Sequence, residues 1–404
     1  MDSSSSVLGD GDLLREILLR LDFPTTLVRA SLVSRRWLLH ASDPAFLRHF
    51  RARSPPRLLG FYHTARRDEQ PEFVPLPHQP PELAPVLRRG GCFRLGGTSG
   101  SAVVFDSRNG RLLRAELPPP PDALRFGVFA PLHPARRPPH LPPLLHSQLH
   151  QRGVEVPRDG DARMLLPEDG GGDDTSYTLV VFTRKGCQLL ATAVSVRGES
   201  IEIRTSRSID LPTHWPSRMR GGLLLHGDLY MLGKKHILVF NLKSSNTFLI
   251  KLPDGVEQLD RMGNLKLIRR GDSGLHLVHL SGLQIHVWHR VTDCNNSNGN
   301  GGDWELVDTL CLRRWIGQAL RPGWESGNPS VGDAFVSLRR VEDNAELFLV
   351  VDRVIFHVHL ADRTAHKVFE MAPEQDVRFE IHPLMMVWPP TFPEILKHDH
   401  DQYE

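Results

Sequence analysis

The 404-residue sequence is 40% hydrophobic and 24% charged, an ordinary globular composition with enough apolar side chains to bury a sizeable core in one large domain or two. Its formal net charge of +2 supplies no overall field toward nucleic acid or a membrane surface. No segment reaches the roughly 20 apolar residues that span a bilayer, and the N-terminal MDSSSSVLGDGD lacks a cationic stretch followed by an apolar run, so the expected location is the cytoplasm and/or the nucleus.

From Leu13 onward, Leu13, Leu14, Ile17, Leu18 and Leu21 recur at three- and four-residue steps between Arg15, Glu16 and Arg20, which predicts an amphipathic helix. Asp10 or Asp12 can accept hydrogen bonds from its first-turn amides. The helix should end near Asp22, because Phe23 precedes Pro24 and a pre-proline residue is pushed out of helical geometry. Pro24 suits the first position of a second short helix carrying Leu27, Val28 and Ala30. Ser31 to His40 follows with Leu32, Val33, Trp37 and Leu38 around the solvated pair Arg35 and Arg36. At Asp43-Pro44 a cap precedes a first-turn proline, and Phe46, Leu47 and Phe50 add another apolar stripe. A module this small has too little interior to hide all these side chains, so part of the stripe is expected to face a partner.

The order of these residues adds a resemblance. The run LGDGDLLREILLRLDFPTTLVRASLVSRRWLLHASDPAFLRHFR closely resembles an F-box: a leucine-rich first helix after an acidic start, a Leu-Val-x-x-x-Trp segment, and a closing helix begun by proline. The resemblance implies docking onto a Skp-type adaptor, and through it onto a cullin scaffold and a ubiquitin-charged conjugating enzyme. The adaptor-binding candidates it implies are Leu8, Leu13, Leu14, Ile17, Leu18, Leu32, Val33 and Trp37. Two positions depart from the family pattern, Gly9 after Leu8 and Asp22, where many relatives have proline; Gly9 loosens the entry to the first helix.

After Phe50 the helical stripes give way to short β-branched and aromatic runs separated by Gly, Pro, Asn and Asp, as in SAVVFDSRNGRLLRAELP and AELFLVVDRVIFHVHLADRTAHKVFEM. Turns at Ser107 to Gly110 and Lys243 to Asn246, with strand ends at Leu117-Pro118, Leu211-Pro212 and Leu252-Pro253, make a loose repeat of roughly 40 to 60 residues. The expected fold class is α+β multidomain: a small helical F-box, then an all-β domain read as a β-propeller of five to seven blades, with an irregular β-sandwich as the alternative. The corresponding division is 6–52 for the helical module, 53–395 for the β-rich recognition domain and 396–404 for a polar tail. Gly221-Gly222, Gly227-Asp228-Leu229-Tyr230 and Val239-Phe240-Asn241-Leu242 resemble a blade of the kelch-like domains that follow F-boxes in plant, grass-type proteins. Pro118 to Pro143, Arg158 to Asp174 and Cys294 to Asp303 are too broken or too polar to build core and are expected to be loops.

Chemistry-bearing motifs are sparse. The sequence contains no Gly-x-x-x-x-Gly-Lys-Ser/Thr, Gly-x-Ser-x-Gly or His-Glu-x-x-His, so no catalytic residues and no cofactor are assigned. The cysteines Cys92, Cys187, Cys294 and Cys311 form no Cys-x-x-Cys pair, as expected of free thiols. His286 with His289, and His357 with His359, are candidate ligand pairs, and the latter share a strand face. No third ligand is indicated, so no metal is expected. Arg66-Arg67 and Arg313-Arg314-Trp315 are too short for a nucleic-acid track. The sequence thus predicts a non-catalytic substrate receptor of a ubiquitin ligase: one end grips an adaptor and the β domain holds an unknown target protein. The competing reading is a propeller scaffold with a degenerate F-box.

Overall fold

A computed structural model of the chain describes residues 10–54, 56–63, 70–77, 79–88, 93–95, 101–117, 125–132, 162–165, 176–197, 200–206, 208–212, 220–257, 263–269, 274–291, 303–316, 336–339, 346–372, 381–390 and 392. The N-terminal stretch forms four helices, α1 (Gly11–Leu19), α2 (Pro24–Ser31), α3 (Arg35–Ala41) and α4 (Pro44–Arg53). Each begins where its sequence supplies a start signal. Asp10 accepts from the amides of Asp12 and Leu13, Ser34 from Trp37 and Asp43 from Phe46, while Pro24 and Pro44 occupy the first helical position, where the missing N–H costs nothing.

Beyond α4 the chain turns to strands. β1 (Leu58–His63) pairs with β2 (Glu72–Pro75), but its other neighbour is β23 (Ile381–Met385), the last strand among the described residues. Between them come β3 to β5 (Ser101–Arg108, Arg111–Leu117, Arg125–Phe129) and β6 to β10 (Ala162–Leu165, Tyr177–Lys185, Gln188–Arg197, Ser200–Thr205, Ile209–Asp210). They are followed by β11 to β14 (Arg220–Leu225, Asp228–Leu232, His236–Asn241, Thr247–Lys251), β15 to β18 (Leu265–Arg269, Leu275–Ser281, Gln284–Arg290, Trp304–Cys311) and β19 to β22 (Val336–Arg339, Glu346–Val351, Val354–His359, Thr364–Glu370). Among the described residues these strands form six antiparallel sheets, numbered as blades 1 to 5 from β3 onward, with β2-β1-β23 as blade 6.

Side-chain packing closes the sheets into a ring. An apolar cluster fills each seam between successive blades: Phe105 and Leu113 meet Leu179 and Val194, Phe182 meets Leu229 and Phe240, and Val239 and Ile250 meet Leu265 and Leu277. Onward, Val278 and Val287 meet Leu349 and Val358, Phe348 and Ile355 meet Phe61 and Ile381, and Tyr62 and Leu384 meet Val104 and Leu112. Alternation along a strand explains the continuous apolar runs. In β13, Leu238 and Phe240 point into the seam with blade 2 while Ile237 and Val239 point into the seam with blade 4. A strand buried on both faces needs apolar residues at every position, and a six-bladed β-propeller is the arrangement that buries them; the irregular sandwich is set aside.

Two of the three expected loops contain strands. Arg125–Phe129 lies inside the proline-rich stretch and pairs with β4, and Ala162–Leu165 lies inside the glycine-rich acidic stretch and pairs with β7. Each is a short end strand of its sheet, so hydrogen bonds to one neighbour fix it despite its unfavourable flanks. Of the third stretch, only Asp303 falls within the described residues.

Candidate functional site

The helical module is built around Leu14, Leu18, Leu27, Ala41, Phe46, Leu47 and Phe50, which pack into one buried cluster. Leu14 and Leu18, both adaptor-contact candidates by their resemblance to the F-box pattern, are fully buried, so they support a contact face from beneath and cannot be touched by a partner in this conformation. Trp37 is half-buried against the same cluster. The residues that reach solvent are Leu13 at 45%, Ile17 at 36%, Leu32 at 66% and Val33 at 67% relative exposure. Leu8 and Gly9 lie outside the described residues, and Asp22 is exposed at the α1–α2 joint.

Leu39, 54% exposed, joins these four and was not singled out by sequence pattern. Its signal was the run Trp37-Leu38-Leu39, since three consecutive positions on a helix cannot all face one core. α1 and α2 both pack on α3, and Leu32 and Val33 lie in the joint between α2 and α3, so the exposed apolar residues come from contacting helices and their connection. Polar bonds hold that arrangement: Arg15 Nε donates to His40 Nδ1 at 3.3 Å, and its guanidinium lies 3.6 Å from the Asp43 carboxylate.

Asp43 also caps α4, its Oδ1 accepting from the Phe46 amide at 2.7 Å. That backbone hydrogen bond, which outweighs the opposing effect of burial and is aided by the Arg15 charge, holds the Asp43 carboxyl below its ordinary value of 3.8. A depressed folded-state pKa gives stability that is complete above the unfolded value and lost as pH falls through the folded one. Thermal unfolding should therefore show Asp43→Ala destabilising the module by about 1 kcal/mol at neutral pH, with the difference shrinking below pH ~4. Asp43→Asn, which keeps an accepting oxygen, should recover most of the loss.

The module is fastened to the propeller by a residue far along the chain. Trp388, 4% exposed, joins the helical cluster and stacks on Phe50 with ring centroids 5.9 Å apart and planes at 5°. Both its backbone groups are held by one side chain: its N–H donates to Asn109 Oδ1 and its carbonyl accepts from Asn109 Nδ2. Asn109 and Gly110 form the β3–β4 turn with φ of 47° and 71°, left-handed values that suit these two residues in a tight hairpin. A side chain at Gly110 would sit 2.7 Å from Val387 Cγ2 and 2.9 Å from the Met385 carbonyl, so glycine lets the returning chain lie against the turn. Beside it, the Met386 amide donates to the Arg57 carbonyl at 2.9 Å, and the Arg57 guanidinium lies 5.1 Å from the centre of the Phe23 ring. The sequence signal for Trp388 was a lone Trp-Pro-Pro after the last apolar strand.

The histidine pairs part company. His289 stacks on His276 at 4.6 Å, and His286 lies beside His279 with its Nδ1 3.2 Å from Thr309 Oγ1; among the described residues neither joins three ligand atoms close enough to hold one ion. His357 and His359 do acquire a third neighbour, Glu346, contrary to the expectation from sequence. Pairing of β20 with β21 brings it there, and strand register cannot be read from residue spacing alone.

An F-box domain model matches residues 11–49, spanning α1 to α4. The model described as "F-box protein AT5G49610-like, beta-propeller" matches residues 103–392, well over half of the chain. The chain belongs to the AT5G49610-like F-box β-propeller family. This family's match runs through Trp388, so the residue that joins the two parts lies inside the propeller region as the family defines it. No curated protein matches the sequence.

Solved structures similar to this AT5G49610-like chain are distant. A protein from Lactobacillus plantarum is 10% identical, with 69% of this chain and 85% of that one covered and a TM-score of 0.30. Kluyveromyces lactis Hsv2 is 12% identical, with 68% and 65% covered and a TM-score of 0.28. The WD40 domain of SCAP from fission yeast is 13% identical, with 54% and 59% covered and a TM-score of 0.25. Superpositions this loose transfer no function.

Proposed function

We propose that this F-box β-propeller protein is the substrate-recognition subunit of a Skp-cullin-F-box ubiquitin ligase. The observation that carries the reading is the exposed apolar set Leu13, Ile17, Leu32, Val33 and Leu39 on a helical module of F-box type whose buried cluster is joined to the propeller through Trp388. Large apolar residues left in water cost solvation unless a partner covers them, and aliphatic and aromatic anchors at the centre of such a patch supply most of an interface's affinity.

In this reading residues 6–52 dock a Skp-type adaptor and through it a cullin. Residues 53–395 hold a target protein, and 396–404 are a tail. The chain does no covalent chemistry and carries no cofactor. It raises the effective concentration of target lysines at the conjugating enzyme, and a fixed module-to-propeller angle makes that presentation productive. The kelch-like, plant-type affinity of the blades and a cytoplasmic or nuclear setting belong to the same proposal.

Co-expression of the intact chain with a Skp-type adaptor, followed by size-exclusion chromatography, tests it: the two are expected to elute as one stable complex. Separate elution with every adaptor tried would overturn the receptor role and leave a propeller scaffold with a degenerate F-box.

A further inference from the structure

Blade 5 gathers three ligand-bearing side chains at one end of one sheet face. His357 and His359 alternate along β21 and therefore share a face, and Glu346 opens β20 directly opposite His359 in the ladder. His357 Nε2 lies 3.3 Å from Glu346 Oε2, and His359 Nδ1 lies 3.7 Å from Glu346 Oε1. The imidazole centroids are 4.4 Å apart and the rings are set edge to face, and the three ligand atoms all fall within 4.8 Å of one another.

A tetrahedral zinc ion with bonds of ~2.0–2.2 Å holds neighbouring ligand atoms about 3.3–3.5 Å apart. The two imidazoles approach different oxygens of Glu346, and with one ligand atom from each residue already within 4.8 Å of the others, small side-chain rotations reach that spacing. We propose that Glu346, His357 and His359 form a binding site for a zinc-type divalent transition metal at the rim of blade 5. Two imidazoles with one carboxylate suit Zn²⁺ and its first-row neighbours, whereas Mg²⁺ and Ca²⁺ prefer oxygen donors throughout. Three protein ligands leave a fourth position for water or an incoming donor atom.

The surroundings fit a built site. His357 is 6% exposed and its ring packs 5.4 Å from that of Phe348, which limits its rotation. Glu346 and His357 also line a cleft of about 10 Å³ with Leu58, Phe348 and Met385, space on the scale of a single water molecule. Leu58 begins β1 directly after the helical module, so the cluster sits at the blade 5–blade 6 seam where the two parts of the chain join.

The test is calorimetric titration of Zn²⁺ into the full chain after chelator treatment, with Glu346→Gln and His359→Gln measured beside it. Both substituted side chains are partly exposed, so the variants should fold, and metal-free thermal unfolding verifies this. The intact chain is expected to take up one tight equivalent with a rise in Tm, and each variant to lose that equivalent or bind it at least ~100-fold more weakly. With 21 histidines in the sequence, weak uptake elsewhere is expected, so the readout is the single tight equivalent. Co²⁺ gives a second readout: tetrahedral visible bands in the intact chain and none in the variants. No stoichiometric uptake, or uptake undiminished in both variants, would overturn the proposal.

Discussion

Replacing Trp388 with alanine is expected to destabilise the helical module by about 3–5 kcal/mol, the usual cost of deleting a large buried aromatic and leaving a cavity. The indole is 4% exposed and stacked on Phe50, and Phe50 is itself fully buried with Phe46 6.0 Å away. A four-helix module of this size has a small interior, and whole domains are stable by only about 5–15 kcal/mol. Removing this one side chain should therefore split a single cooperative unfolding transition into an early one for the helices and a later one for the ring. Calorimetry would read the split, and limited proteolysis should cut the variant near residues 53–58 while sparing the parent. Trp388→Phe keeps a ring over Phe50 and should retain most of the cooperativity. A single transition at the parental temperature in Trp388→Ala would show that the stack contributes little and that other contacts couple the module to the ring.

Charging the exposed face should abolish adaptor binding without disturbing the fold. Leu32 and Val33 are 66% and 67% exposed, and substitutions at such positions usually alter stability by less than about 0.5 kcal/mol. In the Leu32→Asp, Val33→Asp double variant, docking would desolvate two unpaired carboxylates as well as lose two apolar contacts. The expected result is at least ~100-fold weaker adaptor binding by surface plasmon resonance, with Tm nearly unchanged. Leu14 makes a poor target for the same test. It is fully buried, so an aspartate there unfolds the module, and the resulting loss of binding says nothing about contact. Full affinity in the folded double variant would mean that adaptors do not use this face.

The four helices were legible because their information is local. Caps at Asp10 and Asp43, prolines at 24 and 44, and apolar residues at three- and four-residue steps all act within a turn or two of backbone. The sequence pattern starts the third helix at Ser31, whereas Ser31 ends α2 and Ser34 caps α3. The all-β character of the rest was legible for the same reason, since alternation and turn residues are short-range signals. Short strands with poor flanks were not: Arg125–Phe129 and Ala162–Leu165 are held by their neighbours' hydrogen bonds more than by their own propensity.

The sequence by itself determined the helical module, the strand-rich remainder and the apolar stripes. Tertiary structure alone decided which members of a stripe face water, so that Leu14 and Leu18 went inside while Leu32, Val33 and Leu39 stayed out. It also fixed the blade number, through the pairing of β1 with β23 from opposite ends of the chain. The same long-range closure delivers Trp388 to Phe50, and strand register sets Glu346 beside His357 and His359. These contacts join residues far apart in sequence, and what selects them is the collective burial of six interblade seams, a quantity no local pattern encodes.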